Sequence, residues 1–228
     1  MKPLNRVFRF VVALWITVCL LVIGQWPHLV LAQSETELSK VRGGRIAVMS
    51  FIKGRFGSTP RETIDSSISQ LYFNPENMSP DSDGILTGHV QEALQKRHGD
   101  KLIPLVKSIE AYGGISKDDT RDTLRTLAQK VGQALGANFI MVGNVWRFKE
   151  RAGSAVSAEP PASVAFGLYL IDVSNGKVLW REVFEKSQTS LSENILEARA
   201  FFKKGVKWVT ANELARYGVS EVLKKYPF

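Results

Sequence analysis

Apolar positions along this chain shift between continuous runs, strict alternation and helical spacing, and each shift marks an element. Arg45-Ile-Ala-Val-Met-Ser-Phe51 is a compact apolar run with β-branched residues that follows Gly43-Gly44, which predicts a first strand. Leu86, Val90, Ala93 and Leu94 recur at helical spacing, predicting a helix over 85–97 with Gly99 as its stop. Leu102 to Val106 is apolar but carries Pro104, which confines it to a sheet edge or a strand end. Ser116-Lys-Asp-Asp119 reads as the acidic start of a second helix, with Leu124, Leu127, Ala128, Val131 and Leu135 as its buried face and Gly136 as its end. Asn138 to Trp146 is continuously apolar, the pattern of a strand buried on both faces.

Ser163–Val173 and Lys177–Lys186 alternate around Ser174-Asn175-Gly176, whose Asn-Gly pair is suited to a hairpin turn. From Ser190 the spacing turns helical. Ile195, Leu196, Arg199, Phe202 and Val206 fit one face, and Trp208, Val209, Leu214, Tyr217, Val222 and Leu223 fit a second helix. Gly205 and Gly218 mark kinks or a break. Two stretches lack a period. Lys53–Gly84 is rich in Gly, Pro, Ser, Asn and Asp, with Thr63–Leu71 as a short helical candidate, and Arg147–Pro161 is a polar, small-residue connection. This order predicts an α/β (α+β) fold: a mixed β-sheet of about five strands with a C-terminal β-hairpin, flanked by helices, plus a helical C-terminal extension.

The first 32 residues read differently. Lys2, Arg6 and Arg9 precede an uncharged, mostly apolar run of 15 residues from Phe10 to Gly24, which Gln25-Trp-Pro-His28 breaks. A spanning helix needs about 20 such residues and a signal core about 7–15. Val30-Leu-Ala32 then supplies short side chains where a signal peptidase reads, so cleavage falls between Ala32 and Gln33. Two alternatives stay open: Leu29-Val-Leu31 extends the run into an uncleaved anchor, or Cys19 takes a lipid, although Ile16-Thr-Val18 lacks the small residues that favour this. The organisation is then 1–32 signal peptide, 33–44 linker, and 45–228 one domain with an irregular insertion at 53–84 and a helical tail at 190–228.

Charge adds little. Of 228 residues, 30 are Lys or Arg and 22 Asp or Glu, a net +8. Setting aside 1–32 leaves 27 against 22, +5, with no basic stripe of the kind that binds nucleic acid. Cys19 is the one cysteine, which excludes an intrachain disulfide framework and a cysteine-built zinc site. Lys53-Gly-Arg-Phe-Gly-Ser58 follows the first strand but is neither a Walker A nor a GxGxxG pattern, and it reads as a turn. His89 and His98 lie about 13 Å apart along a helix, too far to share a metal, and read as exposed. Asp118, Asp119 and Asp122 read as a helix N-terminus. No convergent set of nucleophile, base or metal ligands stands out, and neither catalytic residue, cofactor nor metal is expected. The basic tail residues Lys203, Lys204, Lys207, Lys224 and Lys225 read as a solvated helix face, or as a surface for anionic lipid.

Three segments in series carry a resemblance. Arg45-Ile-Ala-Val-Met-Ser-Phe51, Leu135-Gly-Ala-Asn-Phe-Ile-Met-Val-Gly-Asn-Val145 and Leu168-Tyr-Leu-Ile-Asp-Val-Ser-Asn-Gly-Lys-Val-Leu-Trp180 resemble, in order and spacing, an envelope superfamily. It holds the amino-terminal domain of the Tol system translocation protein, the curli secretion lipoprotein and the lipoprotein activator of penicillin-binding proteins. The resemblance implies a bacterial envelope protein with a mixed sheet, which binds other proteins or assembles into rings and is not an enzyme. The expected partners are envelope proteins or further copies of the chain, with peripheral membrane contact and no nucleic acid. Arg55, Phe56, Tyr72, Phe73, Lys203, Lys204 and Lys207 are the candidate contacts. A cell-wall hydrolase is the enzymatic alternative.

Overall fold

The computed structural model describes residues 39–54, 64–68, 74–152, 161–188 and 209–228. The chain divides into two compact units, Met1–Arg42 and Gly43–Phe228. Residues 39–42, the described part of the first, are helical. The sheet and the helices packed on it belong to the second unit.

The centre of that unit is a mixed five-stranded sheet built on β3 (Phe139–Lys149). β1 (Ile46–Val48) and β2 (Ile52–Lys53) run parallel to it along one edge, Ile46 beside Phe139 and Ile52 beside Asn144. The expected first strand is therefore two short pieces. Met49 still donates to the Met141 carbonyl (2.9 Å), but Ser50 and Phe51 leave the ladder, and the Phe51 ring turns in against Gly143. β4 (Ser163–Asp172) pairs antiparallel with β3 and with β5 (Val178–Ser187), the hairpin read from the sequence. The turn chemistry differs from the expected form. Gly176 alone takes positive φ (69°), and Asp172 ties the turn by accepting from Ser174 N (2.9 Å) and Ser174 Oγ (2.6 Å).

Both sheet faces are covered, as the continuous apolar runs require. On one face, Ile140, Val142, Tyr169 and Ile171 meet Leu124, Leu127, Ala128 and Val131 of α3 (Leu124–Leu135). On the other, Phe166 stacks between Phe51 and Phe184, beside α1 (Ser82–His98) and α4 (Ala211–Lys224), which pack on each other. Burial of these side chains at ~25 cal/mol per Å2 is the main favourable term holding the layers together.

Several boundaries depart from the sequence reading for identifiable reasons. α1 begins at Ser82, three residues before the expected start at Ile85. α3 begins not at Ser116 but at Leu124, because Thr123 and Thr126 form a reciprocal capping box. The acids upstream close a turn instead: the Asp118 carboxylate accepts from Thr120 N (3.0 Å) and Arg121 N (3.2 Å). Leu102 makes a single parallel bridge to Ile46, and Pro104 then caps α2 (Leu105–Gly114), a helix the pattern did not announce. β3 runs on to Lys149 through a bulge at Trp146, so the expected connection starts later than Arg147. Gly218 breaks nothing. It lies inside α4, where a Cβ would come within 2.7 Å of the Phe184 ring, so glycine is what lets helix and sheet approach. Of the short helix expected over Thr63–Leu71, the described part shows a helical turn at Ile64–Asp65, after which Ser67 bridges to Thr123.

Candidate functional site

The two ends of the sheet are built differently. At one end β3 begins, β1 begins and the hairpin turns. Arg45 N donates to Asn138 Oδ1 (2.8 Å), Asn138 N to the Arg45 carbonyl (2.9 Å) and Val173 N to the Asn138 carbonyl (3.0 Å). Gly136, in the left-handed conformation (φ 60°), closes α3 into this knot.

At the other end β2, β3 and β5 finish and β4 begins. Lys53 pairs with Val145, Lys149 with Ser163, and Ser163 with Ser187. Three long connectors leave and return here. Gly54, whose N–H donates to the Val145 carbonyl (2.8 Å), leads out toward Arg55 and Phe56. Ile68 N, held by the Asp122 carbonyl (3.0 Å), and Asn74 flank Tyr72 and Phe73. Gln188 and Val209, joined by Val209 N to Gln188 Oε1 (3.1 Å), flank the stretch with Lys203, Lys204 and Lys207. The candidate contacts Arg55, Phe56, Tyr72, Phe73, Lys203, Lys204 and Lys207 themselves lie outside the described residues, as do Cys19, Ala32 and Gln33 and the first tail helix.

Described side chains brace this end. Lys53 pairs with Asp83 (2.9 Å) and donates to the Pro80 carbonyl. Met78 bridges to Phe148, Arg147 pairs with Glu185 (3.0 Å), and Glu150 accepts from Ala211 N (3.0 Å) at the start of α4. Asp122, 6% exposed, accepts from Lys130 Nζ (2.7 Å); that hydrogen bond, then one from Asp118 N, holds its carboxyl below the usual range. Among the described residues, buried polar atoms without a hydrogen-bond partner include Ser82 Oγ, Asn144 Oδ1, Trp146 Nε1 and Arg147 Nε here, and Gln91 Oε1, His98 Nε2, Ser108 Oγ and Tyr226 Oη elsewhere. Sequence reasoning missed them, although Asn144 inside an otherwise apolar run was the available signal.

His89 and His98 belong to the packing. Both are half-buried rather than exposed. His89 bonds Asn212 (2.7 Å) on α4, and the His98 ring stands edge-on to Tyr226 (5.7 Å). Burial, reinforced by Arg97 and Lys101, lowers the His98 pKa. Burial also drives the Tyr226 hydroxyl well above its ordinary range. Lys224 and Lys225 pair with Glu221 and Glu182. Among the described residues, no group of three or more His, Cys, Asp or Glu side chains could hold a metal, and no helix is long and apolar enough to cross a membrane.

The described unit is thus an α+β domain with helices on both faces of a mixed sheet and long connectors at one end. No protein-family model matches the chain. No curated protein matches it either. Among solved structures it is similar to a PelC dodecamer subunit from Paraburkholderia phytofirmans, at 16% identity and TM-score 0.45, over 80% of this chain and 86% of that one. It is also similar to lipoprotein GNA1162 from Neisseria meningitidis, at 14% identity and TM-score 0.41, over 69% and 90%. A third is the LpoB C-terminal domain from Salmonella enterica, at 16% identity and TM-score 0.38, over 64% and 84%.

Proposed function

We propose that the chain is an exported, non-enzymatic protein-binding module of the bacterial cell envelope, periplasmic or envelope-associated, and an accessory of envelope assembly or secretion. The observation that carries this reading is the convergence of the three long connectors on one end of a rigid sheet, since binding residues are most often carried on loops held by such a scaffold. On this reading Arg55, Phe56, Tyr72, Phe73, Lys203, Lys204 and Lys207 supply the contacts. The N-terminal segment is a signal removed between Ala32 and Gln33, with anchoring or lipidation at Cys19 as the alternatives. Mass spectrometry of the native N-terminus in each cell fraction decides among these: a free chain starting at Gln33 supports cleavage, a retained Met1 in membranes supports the anchor, and a retained Met1 in the cytoplasmic fraction contradicts export.

Replacing Arg55 and Phe56 by Ser and, separately, Tyr72 and Phe73 by Ser tests the contact surface. Loss of a crosslinked envelope partner with unchanged circular dichroism supports the reading, and unchanged capture contradicts it. A homo-oligomeric subunit is the second reading, favoured by the outer edge of β5, with which no strand pairs among the described residues.

A further inference from the structure

The two edges of the sheet are not equivalent. Beside β1, Ile103 N donates to the Ile46 carbonyl (2.7 Å) and Leu102 bridges to Ile46, so that edge is in part already taken. β5 pairs with β4 alone, and among the described residues nothing pairs with its outer side. Gln188 N donates to the Ala162 carbonyl (2.9 Å). By the alternation of an antiparallel ladder, residues 182, 184 and 186 also turn their backbone groups toward β4, while Arg181, Val183, Glu185 and Ser187 turn theirs outward. The side chains at these four positions are exposed as well, Val183 by 40%. Trp180 and Phe184 sit on the other face, against Tyr226 and Tyr217.

Such an edge invites another strand, and proteins usually block it with proline, an outward lysine or a covering element. Val178–Ser187 contains no proline. Its lysine, Lys186, lies over the Tyr217 ring (5.8 Å), on the face away from the exposed side chains. What the edge does carry is a charge pattern that complements itself. Arg181 and Glu185 stand two residues either side of Val183 on one face. Arg181 forms no ion pair with an acid among the described residues, and Glu185 meets Arg147 through Oε1.

We propose that this edge is a self-association surface: β5 pairs antiparallel with β5 of a second copy, about a two-fold axis through Val183. In that register Val183 faces Val183 of the second copy, and Arg181 faces Glu185 of the second copy twice, at the separation where cross-strand pairs interact. Shifting the axis to Phe184 places Val183 opposite Glu185 and loses both charge pairs. The inference names the surface for the homo-oligomeric reading. It leaves the partner-binding reading untouched, because β5 is not among the proposed partner contacts.

Sedimentation of the exported full-length protein across a concentration range tests it, with circular dichroism as the check on folding. The wild type is expected to dimerise. Arg181→Glu and Glu185→Arg each set like charges opposite one another and raise the dissociation constant by more than about tenfold. An equimolar mixture of the two variants restores the dimer, because each then meets its complement. In a Cys19→Ser background, Val183→Cys forms an intermolecular disulfide under mild oxidation and Ser187→Cys does not. A wild type that stays monomeric throughout overturns the proposal, as do charge variants that dimerise as well as wild type, or a Ser187→Cys crosslink as efficient as that of Val183→Cys. Partner capture by Arg181→Glu, measured in parallel, separates failure of this surface from failure of the partner-binding reading.

Discussion

Two asparagines, one just before β3 and one at its midpoint beside β2, are bonded in opposite ways. Asn138, just before the strand, has its side-chain oxygen, its N–H and its carbonyl all engaged, with Arg45 and Val173. Asn144, five residues into the strand and 1% exposed, leaves Oδ1 without a partner and offers Nδ2 to the Gly54 carbonyl at a long 3.4 Å. Each has the same polar-in-apolar pattern in the sequence, yet one locks a turn and the other remains incompletely bonded. An unmet buried acceptor carries a desolvation cost that the satisfied one does not. Asn144 stands beside β2, from whose end the first of the connectors leaves, and partner binding is proposed at that end.

That contrast can be broken by mutation, and the largest effect belongs to the locked end. A Cβ on Gly132 would lie 2.4 Å from Val173 Cγ2 and 3.0 Å from Val173 Cγ1, so Gly132→Ala wedges α3 away from the hairpin turn. The expected loss is about 2–3 kcal/mol in urea denaturation, with partner capture intact for the folded fraction.

Next comes Asp122, which fastens the insertion to α3 at the open end. Asp122→Asn removes the ion pair with Lys130 and is expected to cost about 2 kcal/mol at neutral pH. The carboxyl is held below its unfolded value, so its contribution is present above about pH 4 and is lost as pH falls through the folded-state value. Wild type should therefore lose stability in that acid window, and the variant should lose less.

The asparagines rank last. Asn138→Ala removes one satisfied acceptor and is expected to cost about 1 kcal/mol. Asn144→Val removes an unsatisfied one and should change stability by less than about 0.5 kcal/mol, or raise it. Equal losses at the two sites in chemical denaturation would erase the contrast.

Much of the fold was legible in the chain. β3, β4 and the buried face of α3 rest on long apolar periods that burial enforces. α2 was hidden because its pattern is inverted: Ser108 is fully buried while Val106 and Ile109 are 65% and 52% exposed. An acid such as Asp118 serves a turn as readily as a helix start, and only the Thr123–Thr126 pair distinguishes the two. Gly218 shows the same ambiguity, since a glycine for close approach and a glycine for a break look alike in sequence. The candidate contacts were chosen for residue type in irregular connectors. What the sequence could not show is that the anchors of those connectors meet, because that depends on strand order and direction.

Site-specific photocrosslinking in the exported full-length protein tests the central claim most directly. One crosslinker stands at Ala152, exposed at the connector end, and one at Asn175, exposed in the hairpin turn. The account predicts that the envelope partner is captured from position 152 and not from 175. Capture from 175 alone, or equally from both, would contradict it.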